Sequence, residues 1–124
     1  MHTIPLLTPA SFVDRFRKKC GLPLMPCFGA LKLRWLIDNV AAVRSAKQAG
    51  TLMFGQADSW LLYKLCGGVH VTDISNAGRT MLMNLHTEQW DNELLDTFGI
   101  PAECMFGNFD IILGTVFVLF RSSP

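Results

Sequence analysis

The residues of this chain that could do chemistry are its carboxylates, histidines and cysteines and one glycine pair. Asp58, Asp73, Asp91, Glu93 and Asp96 contain possible general acid–base pairs. Yet Asp58, Asp73 and Asp91 each stand where a helix N-cap is expected. Glu93 and Asp96 lie on a helix that a capped start would favour, so a structural role is the better reading for all five. His2, His70 and His86 have no second histidine three or four residues on, which a helical metal site would need. His70 falls in a predicted strand with polar neighbours and reads as a surface or hydrogen-bonding residue. A cysteine nucleophile requires a histidine base within reach. Cys66 and His70 are close in sequence, but Gly67-Gly68 between them predicts a turn and not a dyad. The same glycines match neither G-x-x-x-x-G-K-[ST] nor G-x-G-x-x-G, so a helix stop explains them better than a phosphate loop. Cys20, Cys27, Cys66 and Cys104 include no C-x-x-C pair, which gives zinc little support and makes reduced thiols the expectation.

Composition sets the frame for these residues. The chain has 124 residues, enough for one domain at most, and at 50% hydrophobic and 17% charged it is too apolar for a disordered segment. A net charge of +1 with scattered lysines and arginines makes no electrostatic case for nucleic acid or an anionic membrane. The densest basic stretch, Arg15, Arg17, Lys18 and Lys19, reads as a solvated helix end. The N-terminus lacks the basic start and long apolar stretch of a signal peptide, and a cytoplasmic location is expected. Ile111 to Phe120 is apolar apart from Gly114 and Thr115, about half the ~20 residues a membrane-spanning helix takes. Its β-branched and aromatic content suits a buried strand, and left exposed it would promote aggregation.

Periodicity and punctuation predict the elements. Thr8-Pro9 ahead of Phe12, Val13 and Phe16, with Gly21 as stop, predicts a helix over about 9–20. Pro23 and Pro26 enforce an extended link. Leu33, Leu36, Ile37, Val40 and Val43 recur at helical spacing, predicting a helix from about Phe28 to Ala49, broken near Asp38-Asn39. Leu52–Phe54 and Val69–Thr72 are strand candidates, and Asp58 is placed to cap a helix from Ser59 to Leu65. Asp73 or Ser75 is placed to cap a short helical turn, and Met81–Leu85 reads as extended. Asp91 starts a helix carrying Leu94, Leu95 and Phe98, which Gly99 and Pro101 end. The sum is a helix-rich α/β chain with a few short strands.

Five blocks carry a family resemblance. They are Phe16-Arg-Lys-Lys-Cys-Gly-Leu-Pro-Leu, Lys32-Leu-Arg-Trp-Leu-Ile-Asp-Asn and Leu52-Met-Phe-Gly-Gln-Ala-Asp-Ser-Trp-Leu-Leu-Tyr-Lys-Leu. His70-Val-Thr-Asp-Ile-Ser-Asn-Ala-Gly-Arg-Thr-Met-Leu-Met-Asn and Trp90-Asp-Asn-Glu-Leu-Leu-Asp-Thr-Phe-Gly-Ile-Pro follow in order. Together they resemble the glycerol kinases of the FGGY carbohydrate-kinase family. The resemblance implies ATP-dependent transfer of a phosphoryl group to the terminal hydroxyl of glycerol, with magnesium. It implies a partial ribonuclease-H-like (actin-like ATPase) domain, one of a pair that closes over a cleft. It also implies that the family's phosphate-binding segment, catalytic-base aspartate and ATP-binding second domain have no match in these residues.

One glycerol contact of the family falls inside the matched region. It is the tyrosine of a Pro-Tyr-Phe-Ser block, and Pro26-Cys27-Phe28-Gly29 stands there, so the resemblance assigns the substrate-contacting position to Cys27. A thiol is a weaker hydrogen-bond donor than a phenol. Cys66 and Gly78 also depart from the family's threonine and serine. The expected organisation is an unmatched extension at 1–10, a partial kinase domain at 11–104 and an unmatched apolar tail at 105–124. A truncated, inactive kinase piece is the favoured expectation, with no cofactor bound by the chain alone. The alternative is a non-catalytic interaction protein that docks on a full-length kinase subunit or its oligomer.

Overall fold

The computed structural model describes residues 13–105. Helix α1 is Arg17–Cys20, closed by Gly21 at φ +73°. The left-handed backbone angle favours glycine there, and a Cβ would have to displace the tip of Leu85, 2.6 Å away. Of the helix expected over 9–20, residues 9–12 lie outside the described residues, and Asp14–Phe16 form turns. The predicted long helix is two: α2, Gly29–Asn39, and α3, Ala41–Gln48, separated by Val40 in an extended conformation at φ −110° and ψ 112°. The break falls beside Asp38-Asn39. Arg44 donates back to the carbonyls of Ile37 and Asp38, satisfying acceptors that the break sets free.

Helix α4, Ala57–Leu65, differs from its expected start. Gln56 is the N-cap and Asp58 lies in the first turn, where its carboxylate accepts a 2.6 Å bond from Thr72 Oγ1. The helix starts two residues earlier than expected, so Asp58 lies past the cap position. Helix α5, Ile74–Gly78, is capped by Asp73, which accepts from the Asn76 N–H at 2.9 Å. A Cβ added at Gly78 would meet Met83 Cε at 3.6 Å, an ordinary contact, so the backbone there has room for a serine.

Strands β1, Met83–Asn84, and β2, Gln89–Trp90, pair antiparallel, with Met83 opposite Trp90 and Asn84 opposite Gln89. They form the sole ladder among the described residues. Leu52–Phe54 and Val69–Thr72, both expected as strands, are irregular and join no ladder. Their polar groups are tied elsewhere: Leu52 N–H donates to Ala46 at 3.2 Å, Phe54 N–H to Cys104 at 2.9 Å, and Thr72 to Asp58. Helix α6, Asn92–Phe98, starts at Asp91 and ends at Gly99, as its sequence punctuation predicts, and a 3-10 turn follows at Ala102–Cys104.

The core gathers Phe16 and Cys20 with Leu33 and Ile37 of α2 and Leu94, Leu95 and Phe98 of α6. Met81, Leu82, Ile100 and Cys104 complete it. The Phe16 and Phe98 rings lie 5.7 Å apart and tilted, a favourable aromatic pair. Helix α4 stays outside this core, since among its residues only Ser59 is buried. Trp60 (61% exposed), Leu61 and Leu65 (80%) face solvent, as does Trp35 on α2.

Asp91 ties three elements together. Its carboxylate caps α6 through Leu94 N–H at 3.1 Å, accepts from Asn84 Nδ2 of β1 at 2.9 Å, and pairs with Lys19 Nζ of α1 at 3.2 Å. Burial pushes its pKa up, but the bonds from Asn84, Leu94 and Lys19 outweigh that and hold it below the usual 3.8. A depressed carboxylate stabilises the fold fully above its unfolded value, and the contribution disappears as pH falls from 3.8 through the folded value. Asp91→Ala is therefore expected to cost about 2 kcal/mol at pH 7 in urea titrations, from the lost cap and lost charged hydrogen bonds. The gap between variant and parent should narrow as pH falls below 3.8, and a gap that does not change with pH would contradict the assignment.

Candidate functional site

Cys27, the position the sequence singles out for substrate contact, sits exposed in the turn before α2. The turn is held from behind. Phe28, the residue after Cys27, is buried and precedes the first turn of α2, and the Arg79 guanidinium lies over its ring at 5.1 Å. Ala30 N–H donates to the Thr80 carbonyl at 2.8 Å. Gly29 lies so close to the Phe54 ring that a Cβ would come within 2.9 Å of it. A side chain at this position would push the tip of the Phe54 ring aside.

A strained residue backs the same place. Met81 is fully buried with φ +67°, a left-handed conformation that costs of order 1–3 kcal/mol outside glycine. Thr80 holds it there by accepting from Leu82 N–H at 3.1 Å and donating to the Ala77 carbonyl at 2.6 Å. The turn, α2, Phe54 and the 79–82 segment thus form one clamp that fixes the direction in which residue 27 projects. Sequence reasoning missed Arg79, Phe54, Thr80 and Met81. The only local signal was a glycine at the start of an amphipathic helix, since the rest are contacts between distant segments.

Other sequence candidates are placed elsewhere. Cys66 ends α4, while His70 Nε2 lies 2.7 Å from the Phe54 carbonyl, so the pair forms no nucleophile–base arrangement. Gly67 and Gly68 both have positive φ, and Gly68 N–H closes α4 onto the Tyr63 carbonyl at 2.8 Å: a helix stop. His86 is exposed, with Nε2 2.9 Å from the Lys18 carbonyl, and His2 lies outside the described residues. Asp73 and Asp91 act as caps, and Glu93 pairs with Lys19 at 2.6 Å. Lys19 has its pKa raised, first by the Glu93 hydrogen bond, and is spent on this pairing. Arg17 meets Asp14 at 3.3 Å and Arg15 lies over the Phe16 ring at 5.1 Å, so with Lys19 held by Asp91 and Glu93 these three charges have separate partners.

A groove of about 540 Å³ runs between α2, α6 and the turns before α1, bordered by Arg15, Arg34, Asp38 and Asp96. Arg34 pairs with Asp38 across one helical turn. Cys27 is not in its lining, and neither is any histidine. Among the described residues no three histidines, cysteines or acids converge to hold a metal ion. No helix of the described residues is long and apolar enough to cross a membrane.

Comparison with known proteins assigns this arrangement to a family. Residues 3–110 match the model of the FGGY family of carbohydrate kinases, N-terminal domain. The glycerol kinase of Rhizorhabdus wittichii is 54% identical over 96 residues, covering 74% of this chain and 19% of that protein. The glycerol kinase of Pseudarthrobacter chlorophenolicus is 44% identical over 119 residues, 90% of this chain and 24% of its own length. The crystal structure of Plasmodium falciparum glycerol kinase with ADP superposes with TM-score 0.67 at 33% identity, covering 74% of this chain and 18% of that one. Gluconate kinase from Lactobacillus acidophilus gives TM-score 0.63 at 31% identity, over 77% and 18% respectively. The chain thus spans about a fifth of the length of the relatives it matches. From the match over residues 3–110 and these relatives, the chain belongs to the FGGY family of carbohydrate kinases, as part of the N-terminal domain.

Proposed function

We propose that this chain corresponds to a piece of a glycerol-kinase-type phosphotransferase, and that its 124 residues alone transfer no phosphate. The observation that carries the substrate class is the 54% and 44% identity to two glycerol kinases. In that reading the block at 11–104 is a partial ribonuclease-H-like, actin-like domain, flanked by 1–10 and the apolar stretch 105–124, and it works in the cytoplasm. Cys27 occupies the glycerol-contacting position, displayed by the clamp of Phe28, Gly29, Phe54 and Arg79. The thiol gives a weaker hydrogen bond and less contact area than a tyrosine would.

Phosphoryl transfer from ATP with magnesium depends on a positioned base, a phosphate cradle and a metal site. The groups that the resemblance assigns to those tasks have no counterpart in these 124 residues. A coupled ADP-release assay with the purified chain, glycerol and magnesium-ATP is expected to run at the rate of the glycerol-free blank. Glycerol-dependent ADP release that tracks the chain through purification would overturn this reading. A second reading, docking on an intact kinase subunit, is favoured by the exposed Trp35, Trp60 and Leu65. Co-elution with an added glycerol kinase on size exclusion would support it, and separate elution would reject it.

A further inference from the structure

The run Ile111–Phe120, expected as a buried strand, lies outside the described residues. Among those described, the groove of about 540 Å³ between α2 and α6 has no part in the functional reading. Its floor is apolar. Phe16 and Phe98 are buried there with their rings 5.7 Å apart, and Leu24 and Leu31 pack beside them. Four charges stand on its border, and two of them satisfy each other. Arg34 Nε donates to Asp38 at 2.9 Å, and Arg34 Nη1 donates to the Phe98 carbonyl at 3.5 Å. The other two, Arg15 and Asp96, are exposed and form no ion pair among the described residues. Arg15 lies over the Phe16 ring at 5.1 Å, a contact that uses none of its N–H donors.

We propose that this groove binds a short zwitterionic peptide with apolar side chains, its carboxylate on Arg15, its ammonium on Asp96 and its side chains on the floor. Charge selects this ligand over the alternatives. The border carries one unpaired charge of each sign, so a simple anion drawn to Arg15 meets Asp96, and a simple cation drawn to Asp96 meets Arg15. A purely apolar ligand strips water from both charges and returns no hydrogen bond. A ligand of both signs gives each a partner, and the guanidinium fork can take a carboxylate through two parallel N–H bonds. Size agrees with this choice. The Arg15 guanidinium stands 5.1 Å from one ring of the Phe16–Phe98 pair, and Asp96 lies two residues before the other ring. A peptide of two or three residues spans about 7–10 Å, the scale set by that ring pair and the charges beside it. The groove volume also falls within the range of small-molecule sites, about 300–1,000 Å³.

Amide NMR of the whole 124-residue chain tests the proposal with leucyl-phenylalanine, its C-terminal amide and its N-acetyl form. The free dipeptide is expected to shift the amides of Leu31, Thr97 and Gly99 and to bind about fivefold more tightly than either blocked form. Arg15→Gln should weaken the free and acetylated forms about fivefold and leave the amide unchanged. Asp96→Asn should weaken the free and amidated forms by a similar factor and leave the acetylated form unchanged. Both side chains are exposed, so neither variant disturbs the core. No shift in the groove amides at about 10 mM peptide overturns the proposal. Equal affinity for all three forms also overturns it, giving the groove to apolar contact alone, and so does a variant that weakens every form alike.

Discussion

Shortening Leu94 to alanine is expected to cost about 3 kcal/mol, the largest effect of any single truncation proposed for this chain. Leu94 is fully buried on α6 and belongs to the cluster that joins α1, α2 and the 3-10 turn. Its removal forfeits the transfer free energy of the isobutyl group and leaves a cavity that three converging elements cannot all close. Native domains have about 5–15 kcal/mol of folding stability, so a loss of about 3 kcal/mol is a large fraction of it. In urea the midpoint should fall by roughly 2 M. Leu61→Ala on α4, half exposed, serves as the control and should move stability by less than about 1 kcal/mol. If the two variants shift the midpoint equally, the core lies elsewhere than between α2 and α6.

The second large effect concerns the four thiols. Cys27 is exposed, whereas Cys20 and Cys104 are buried at 1% and 0% exposure. Burial pushes the Cys104 thiol up to about 11, and Cys20 is raised for the same reason. At pH 8 a thiol titrating near 11 is about one part in a thousand thiolate, and thiolate is the reactive form. Burial adds the cost of opening the core before reagent can enter. Labelling with a thiol-reactive disulfide should therefore modify Cys27 before the buried Cys20 and Cys104, with Cys104 slower by about a hundredfold or more. In denaturing urea all four should react at similar rates. Native labelling of Cys104 within tenfold of Cys27, mapped by peptide mass, would contradict the buried placement.

Both predictions rest on elements of different legibility. The helix of Leu94 was readable from sequence because its signals are local. Asp91 caps it, Leu94, Leu95 and Phe98 repeat at helical spacing, and Gly99 stops it with a positive φ. The break near Asp38-Asn39, the Asp73 cap and the Gly67-Gly68 stop were readable on the same grounds. So was the family resemblance, carried by blocks of residue identity and matched by relatives at about half identity.

What depends on distant contacts was decided by tertiary structure alone. Leu52–Phe54 and Val69–Thr72 have strand-like composition, but a strand exists only with a partner, and their bonds go to Ala46, Cys104 and Asp58. Asp58 looked like a cap, but the helix starts at Ala57 and the carboxylate accepts from Thr72, 14 residues away. The apolar residues of α4 were visible in the sequence, but nothing local said that Trp60 and Leu65 would remain outside the core. The four cysteines are alike by type, and only packing separates the buried Cys20 and Cys104 from Cys27. The sequence by itself determined the helix Asn92–Phe98 with its Asp91 cap and Gly99 stop, the Gly67-Gly68 stop and the kinship, because each is written within neighbouring residues. The clamp behind Cys27 was decided by the fold, because Arg79, Phe54 and Thr80 meet that turn only after the chain has closed on itself.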